Sequence, residues 1–273
     1  MTDGQRATLL TDSLRGSSRS GGSREPIDRP SGPHPPGRTE RRSPQPPWSS
    51  PPAPGRLSHA RKHAWLPLLL LAALLLISWQ VAVDGPLLEL DELTRSTVHT
   101  VRRALGSTLL NHLGAGLSDL GGPVPAMPVL LLAGAVAAWR EHRAGRARWW
   151  YPVPVAVLAG VLVPLLIVPS KTWFARPGPF GFPLSPEQLG WYPSGHTATS
   201  AIAYGTAALL LGRTLGRTAR ERLYGLTALV CLGVGAGLVW SDYHWLLDVL
   251  ASWCLAGVLL WGLRLLLTRL TRR

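Results

Sequence analysis

The chain is poor in cysteine and in acidic residues, and both shortages narrow its chemistry. Two cysteines occur in 273 residues, Cys231 and Cys254, each inside an apolar segment. Two thiols cannot build a cysteine-based zinc site, and their apolar surroundings make them packing residues rather than a disulfide pair. Fifteen Asp and Glu stand against 28 Lys and Arg, a formal net charge of +13. That excess suits nucleic acid or anionic lipid as a partner, and the positions of the charges decide between them. Long apolar runs rich in Leu, Ala, Gly, Pro and Trp displace a soluble globular reading in favour of a membrane one.

Residues 1–63 have few aliphatic side chains and are crowded with Pro, Gly, Ser and Arg, so a disordered, flexible cytoplasmic tail is expected. The segment is too long and too polar for the n-region of a signal peptide. From Ala64 to Val83 runs a continuous apolar stretch, entered from the basic cluster Arg56, Arg61 and Lys62. It reads as a first transmembrane helix starting in the cytoplasm. Over 86–106, Leu87, Leu90, Leu93, Val98, Val101 and Leu105 recur at roughly helical spacing opposite Glu89, Glu92, Arg95, Arg102 and Arg103. An interfacial amphipathic helix outside the membrane is predicted, with Glu89, Asp91 and Glu92 on its solvated face.

Further apolar segments at 122–139, 149–169, 197–212, 223–240 and 245–263 each approach the ~20 residues a bilayer requires. The expected architecture is all-α, a bundle of six transmembrane helices over 64–265 followed by a basic cytoplasmic tail, 266–273. Arg140, Arg143, Arg146 and Arg148 lie between the second and third segments, Arg213, Arg217, Arg220 and Arg222 between the fourth and fifth, and Arg264, Arg269, Arg272 and Arg273 at the end. By the positive-inside rule these ends and the N-terminus face the cytoplasm. With 23 of the 28 positive charges on that side, the basicity records topology and not a nucleic-acid patch. The loops around 170–196 and 241–244 then share the extracytoplasmic side.

Those two loops hold the unusual chemistry. Trp191-Tyr192-Pro193-Ser194-Gly195-His196 leads into the fourth segment. Pro193 fixes its own backbone, Ser194 is a good N-cap, and Gly195 lets an anion approach the unpaired N–H groups at the helix start. His196 adds a proton donor working near neutral pH. Lys171 and Arg176 are cations on the side where the positive-inside rule places none; phosphate clamping, Lys as a point charge and Arg as a fork, or snorkelling at the membrane edge accounts for them. His244 and Asp248 stand four apart, with Asp248 about one turn into an apolar helix, where a carboxylate needs a partner. Asp248 accepting from Nδ1 of His244 would leave Nε2 free as a nucleophile. The alternative is a structural His–Asp bond joining two helices.

Lys171 with the following Arg-Pro, Pro193-Ser194-Gly195-His196, and His244-x3-Asp248, in this order and topology, resemble the three motifs of the type 2 phosphatidic acid phosphatase family, whose fold and site are shared with vanadium haloperoxidases. The resemblance covers roughly 64–265. It implies a membrane lipid phosphatase that needs no metal and no cofactor. His244 would attack phosphorus, Asp248 would steady the imidazolium, and His196 would protonate the leaving oxygen, while Lys171, Arg176, Ser194 and Gly195 hold the phosphate. Phosphatidate, phosphatidylglycerol phosphate or a polyprenyl diphosphate fits an outward-facing site, with surrounding membrane lipids as the other partner and the oligomeric state left open. A lipid phosphotransferase and a non-catalytic binder of lipid phosphate are the competing readings. Two family arginines are missing: the first falls on Gly178, with Arg176 two residues earlier, and the second on Leu238.

Overall fold

The computed structural model describes residues 65–272 apart from 183 and 186, so the tail expected at 1–63 lies outside the described residues. Among the described residues every regular element is helical. Helix α1 (Trp65–Ala82) leads through a 3-10 turn (Pro86–Leu88) into α2 (Glu89–Leu105) and α3 (Thr108–Asp119). Helices α4 (Pro123–Arg143), α5 (Pro152–Phe174), α6 (Gly195–Gly212), α7 (Arg217–Trp240) and α8 (Leu246–Arg272) follow. Local chemistry sets many of these boundaries. Gly106, at φ 54°, closes α2 in the left-handed region. Ser107 and Ser194 cap α3 and α6, accepting from Leu110 N and Thr197 N. Proline opens α4 and α5, where a missing N–H costs nothing.

Helices α1, α4, α5, α7 and α8 are long and apolar enough to cross a membrane. Helix α6 falls outside that group, and its packing explains why. It touches α4, α5, α7 and α8, and most of its side chains are buried. A helix wrapped by protein meets little lipid, so it tolerates His196, Thr197, Thr199, Ser200 and Thr206 where a lipid-facing helix would not. The expected bundle of six is therefore five apolar helices and a more polar sixth, with α4, α5, α7 and α8 packed against the sixth and α1 against α8. Its core is built on small residues, with Ala126, Ala137, Ala156, Ala159, Ala198 and Ala203 letting the helices approach closely around Leu130, Ile202 and Leu210.

Two sequence expectations are corrected. The segment predicted to stop at Pro169 continues to Phe174, with Pro164 and Pro169 inside it. The hydroxyls of Ser170 and Thr172 donate back to the carbonyls of Leu166 and Val168 at 2.7 and 3.0 Å, tying both side chains to their own helix. Lys171 consequently sits on the last turn of α5 and not in a loop. The second correction concerns α2, which turns its charged stripe inward. Asp91 is buried and Arg95, His99 and Arg102 are half-buried, while Leu90, Leu93, Val101 and Leu105 point away from the protein. An interfacial helix lays its apolar side on lipid, so the polar side is the one left for the protein.

The start of α6, the end of α5, the end of α7 and the start of α8 meet at one end of the bundle. Arg143, Arg213, Arg217 and Arg269 mark the other.

Candidate active site

All seven side chains and backbone positions singled out from the sequence come to the first of these ends. Ser194 is fully buried and ties two helices together. Its Oγ accepts from Thr197 N at 3.3 Å, its N–H donates to Asp248 O at 3.2 Å, and its carbonyl accepts from Ser252 Oγ at 2.9 Å. The opening turn of α6 is thereby fixed to α8, with Gly195 presenting its backbone at the helix start. Lys171 reaches this turn from α5: a Cβ on Gly195 would lie 3.7 Å from Lys171 Cε, and the ammonium donates to Gly190 O at 3.0 Å. A cation beside free helix N–H groups is an anion cradle.

His244 lies in the short connection between α7 and α8 and is buried. Its Nδ1 is 3.1 Å from Asp248 Oδ2, which also accepts Trp245 N at 3.3 Å. A carboxylate facing an arginine can only accept, so Nδ1 carries the proton and Nε2 keeps its lone pair. Burial pushes the His244 imidazole below the usual histidine range, against the pull of Asp248. The Trp191 ring stands edge-on to it, with centroids 5.3 Å apart. His196 is exposed on the rim, close enough to feel the charges of His244, Lys171 and Asp119. It lies against the turn that joins α3 to α4, where a Cβ on Gly121 would come within 2.9 Å of His196 Cβ. Glycine there is what admits the first turn of α6.

Arg176 is placed more tightly than the sequence suggested. It is 8% exposed; Nη1 donates to Asp248 Oδ1 and Nη2 to Asp91 Oδ2, both at 2.6 Å. Burial works against its charge, but Asp248 and Asp91 outweigh it and hold the guanidinium protonated. Asp91 uses its other oxygen to accept the Leu247 N–H at 2.8 Å, at the first turn of α8. One chain therefore runs Asp91–Arg176–Asp248–His244. The expectation that Asp91 belongs to a solvated face is overturned, and Asp91 is the site residue that sequence reasoning missed. Its signal was positional: Asp91, Arg95, His99 and Arg102 follow one another at helical spacing.

The two missing arginines have structural explanations, one steric and one electrostatic. A Cβ on Gly178 would stand 2.6 Å from the Trp191 ring, so no side chain fits there while Trp191 keeps its place against His244. Leu238 is 1% exposed among Val234 and Val249, and its carbonyl accepts the N–H of Tyr243. A guanidinium at that position would be desolvated without a partner. Cations near the connection come instead from α2, where Arg95 and Arg102 bond Asp242 at 3.3 and 3.4 Å and His99 abuts it.

A membrane bundle that gathers a histidine–carboxylate pair, a lysine and a capped helix start defines the class as integral-membrane phosphoryl chemistry. Residues 149–272 match the model of the PAP2 superfamily. That segment carries the superfamily's pattern, which together with the fold supports a membrane phosphoric ester hydrolase. Its fold is similar to the crystal structure of a transmembrane PAP2-type phosphatidylglycerolphosphate phosphatase from Bacillus subtilis, with a TM-score of 0.64 at 22% identity, covering 76% of this chain and 98% of that one. No curated protein sequence matches the chain.

Proposed function

We propose that this phosphatase hydrolyses a phosphate monoester or diphosphate carried by a lipid, on the extracytoplasmic face, through a phosphohistidine. The observation that carries the reading is the buried His244–Asp248 pair beside the Lys171 and Ser194–Gly195 cradle. In the first step Nε2 of His244 forms a bond to phosphorus as the bond to the lipid oxygen breaks, and His196 gives that oxygen its proton. In the second, water attacks phosphorus, His196 takes the water's proton, and the N–P bond breaks. Lys171, the Ser194 hydroxyl and the Gly195 N–H hold the non-bridging oxygens, where charge accumulates in each transition state.

Arg176 enters differently from the clamp expected of it. With both terminal nitrogens committed to carboxylates, it acts through Asp248, holding that group in register for the Nδ1 proton. Asp91 is a positioning residue one step further back. The extracytoplasmic assignment rests on the basic connections at the opposite end of the bundle. Phosphatidylglycerol phosphate is the first substrate to test, since the structurally similar Bacillus subtilis protein is a phosphatidylglycerolphosphate phosphatase; phosphatidate and a polyprenyl diphosphate complete the panel. Detergent-purified protein is expected to release phosphate in EDTA and to lose that release in His244→Ala. Release that persists in the folded variant would overturn the histidine mechanism, and transfer to an added alcohol in place of water would make the protein a phosphotransferase.

A further inference from the structure

The end of the bundle away from His244 holds a second buried carboxylate that the reaction does not use. Glu141 lies near the end of α4, some twenty residues, about 30 Å, along the helix from the turn that touches His196. It is 1% exposed. One oxygen is well served: Oε1 accepts the Tyr151 hydroxyl at 2.6 Å, with Arg146 Nη1 at 3.6 Å and Arg213 Nε at 3.8 Å. Burial and the Glu141 hydrogen bond push the Tyr151 phenol up to about 12, so it stays a donor. The other oxygen, Oε2, has no hydrogen-bond partner among the described residues.

Glu141 lines a cleft of about 370 Å³ whose other walls include Arg146, Arg148, Tyr151 and Thr271. Arg148 is exposed and fixed over the cleft by donation to Leu270 O at 3.3 Å. Arg146 and Arg213 approach the carboxylate and Arg148 lines the same cleft, so the local charge favours an anion and disfavours a metal ion or an amine. A bare anion, however, would meet the free oxygen of Glu141 and be repelled. The ligand that satisfies both groups carries a phosphate for Arg146 and Arg148 and, a few bonds away, a neutral hydroxyl that donates to Oε2. The chain around it says where it comes from: Trp149 and Trp150 stand between the lining residues Arg148 and Tyr151, Trp139 two residues before Glu141, and each is 42–54% exposed; exposed tryptophans at a helix end mark the membrane interface.

We propose that this cleft is a headgroup site for a hydroxyl-bearing anionic phospholipid in the leaflet opposite the catalytic end. Phosphate lies on Arg146 and Arg148, and a headgroup hydroxyl bonds Glu141 Oε2. The site is independent of the catalytic reading, since none of its groups touches the reacting end.

The test is native mass spectrometry of the full-length detergent-purified chain titrated with phosphatidylglycerol, with phosphatidylcholine, and with soluble glycerol 3-phosphate. The wild type is expected to retain phosphatidylglycerol over phosphatidylcholine. Arg148→Ala should lower that retention on the order of tenfold, the weight of one charge-assisted hydrogen bond, with phosphate release unchanged. Glu141→Gln should narrow the preference for phosphatidylglycerol; Arg148→Ala, at an exposed position, keeps the question answerable if that core variant misfolds. Equal retention of both lipids by wild type and Arg148→Ala would overturn the proposal and leave the cleft to water. Displacement of the lipid by glycerol 3-phosphate at similar concentration would overturn the lipid assignment.

Discussion

Two buried carboxylate–arginine clusters stand at opposite ends of the bundle, and they are built to different standards. At the catalytic end, Asp248 and Asp91 engage Arg176 at 2.6 Å each, while their remaining oxygens accept from His244, Trp245 and Leu247. No carboxylate oxygen in that chain is left over. At the far end, Glu141 satisfies one oxygen through Tyr151, and the other has no partner among the described residues. A closed network can hold one geometry, which is what a nucleophile must have. An open one keeps capacity for something that arrives. Burial and charge are similar in the two clusters, so hydrogen-bond accounting is what distinguishes a positioning device from a binding site.

The largest effect should come from His244→Ala. Phosphate release is expected to fall by roughly 10⁴-fold or more, as for other removed nucleophiles, with elution and helical content unchanged. Next comes Asp91→Ala, which strands one fork of Arg176 inside the protein. Unpairing a buried charge costs about 3–5 kcal/mol, to be read from denaturation midpoints. Asp91→Asn, able to accept from only one side, should lie between it and the wild type. Arg176→Lys sharpens the comparison further. If Arg176 acts through Asp248, kcat falls and the pH profile moves while KM holds; a rise in KM alone would return it to the phosphate clamp.

A smaller effect concerns pH. In the proposed mechanism His244 must be neutral at Nε2, and burial lowers its pKa, so the neutral form persists as pH falls below the ordinary histidine value of about 6.5. The acid limb of kcat/KM should accordingly lie under that value; a limb well above it would assign the limiting protonation elsewhere. The smallest change is expected from Arg148→Ala, silent in turnover and visible only in retained lipid.

Much of the catalytic end was legible because its partners are near in sequence. His244 and Asp248 are one helical turn apart, and Ser194 caps the helix that it precedes, so spacing alone joined them. Lys171 and Arg176 were recognisable as cations in unexpected places, although the partners of Arg176 were not. Asp91 escaped because amphipathicity gives a helix two faces without saying which one meets protein. In water the apolar face turns inward; at a membrane surface the rule inverts, and the stripe of Asp91, Arg95, His99 and Arg102 becomes the inner one. The steric exclusion of an arginine at Gly178 by Trp191 was equally hidden, since it depends on a ring thirteen residues further along the chain.

The position of Asp91 has a practical consequence for anyone cutting or transplanting this enzyme. The segment that matches the PAP2 superfamily begins at residue 149, and Asp91 lies upstream of it. That segment is not a self-contained cassette: excised, it would carry an arginine with one acceptor in place of two and an α8 whose Leu247 amide had lost its cap. Grafts and split-protein designs must bring α2 along, or supply it as a separate fragment that restores the missing carboxylate in trans.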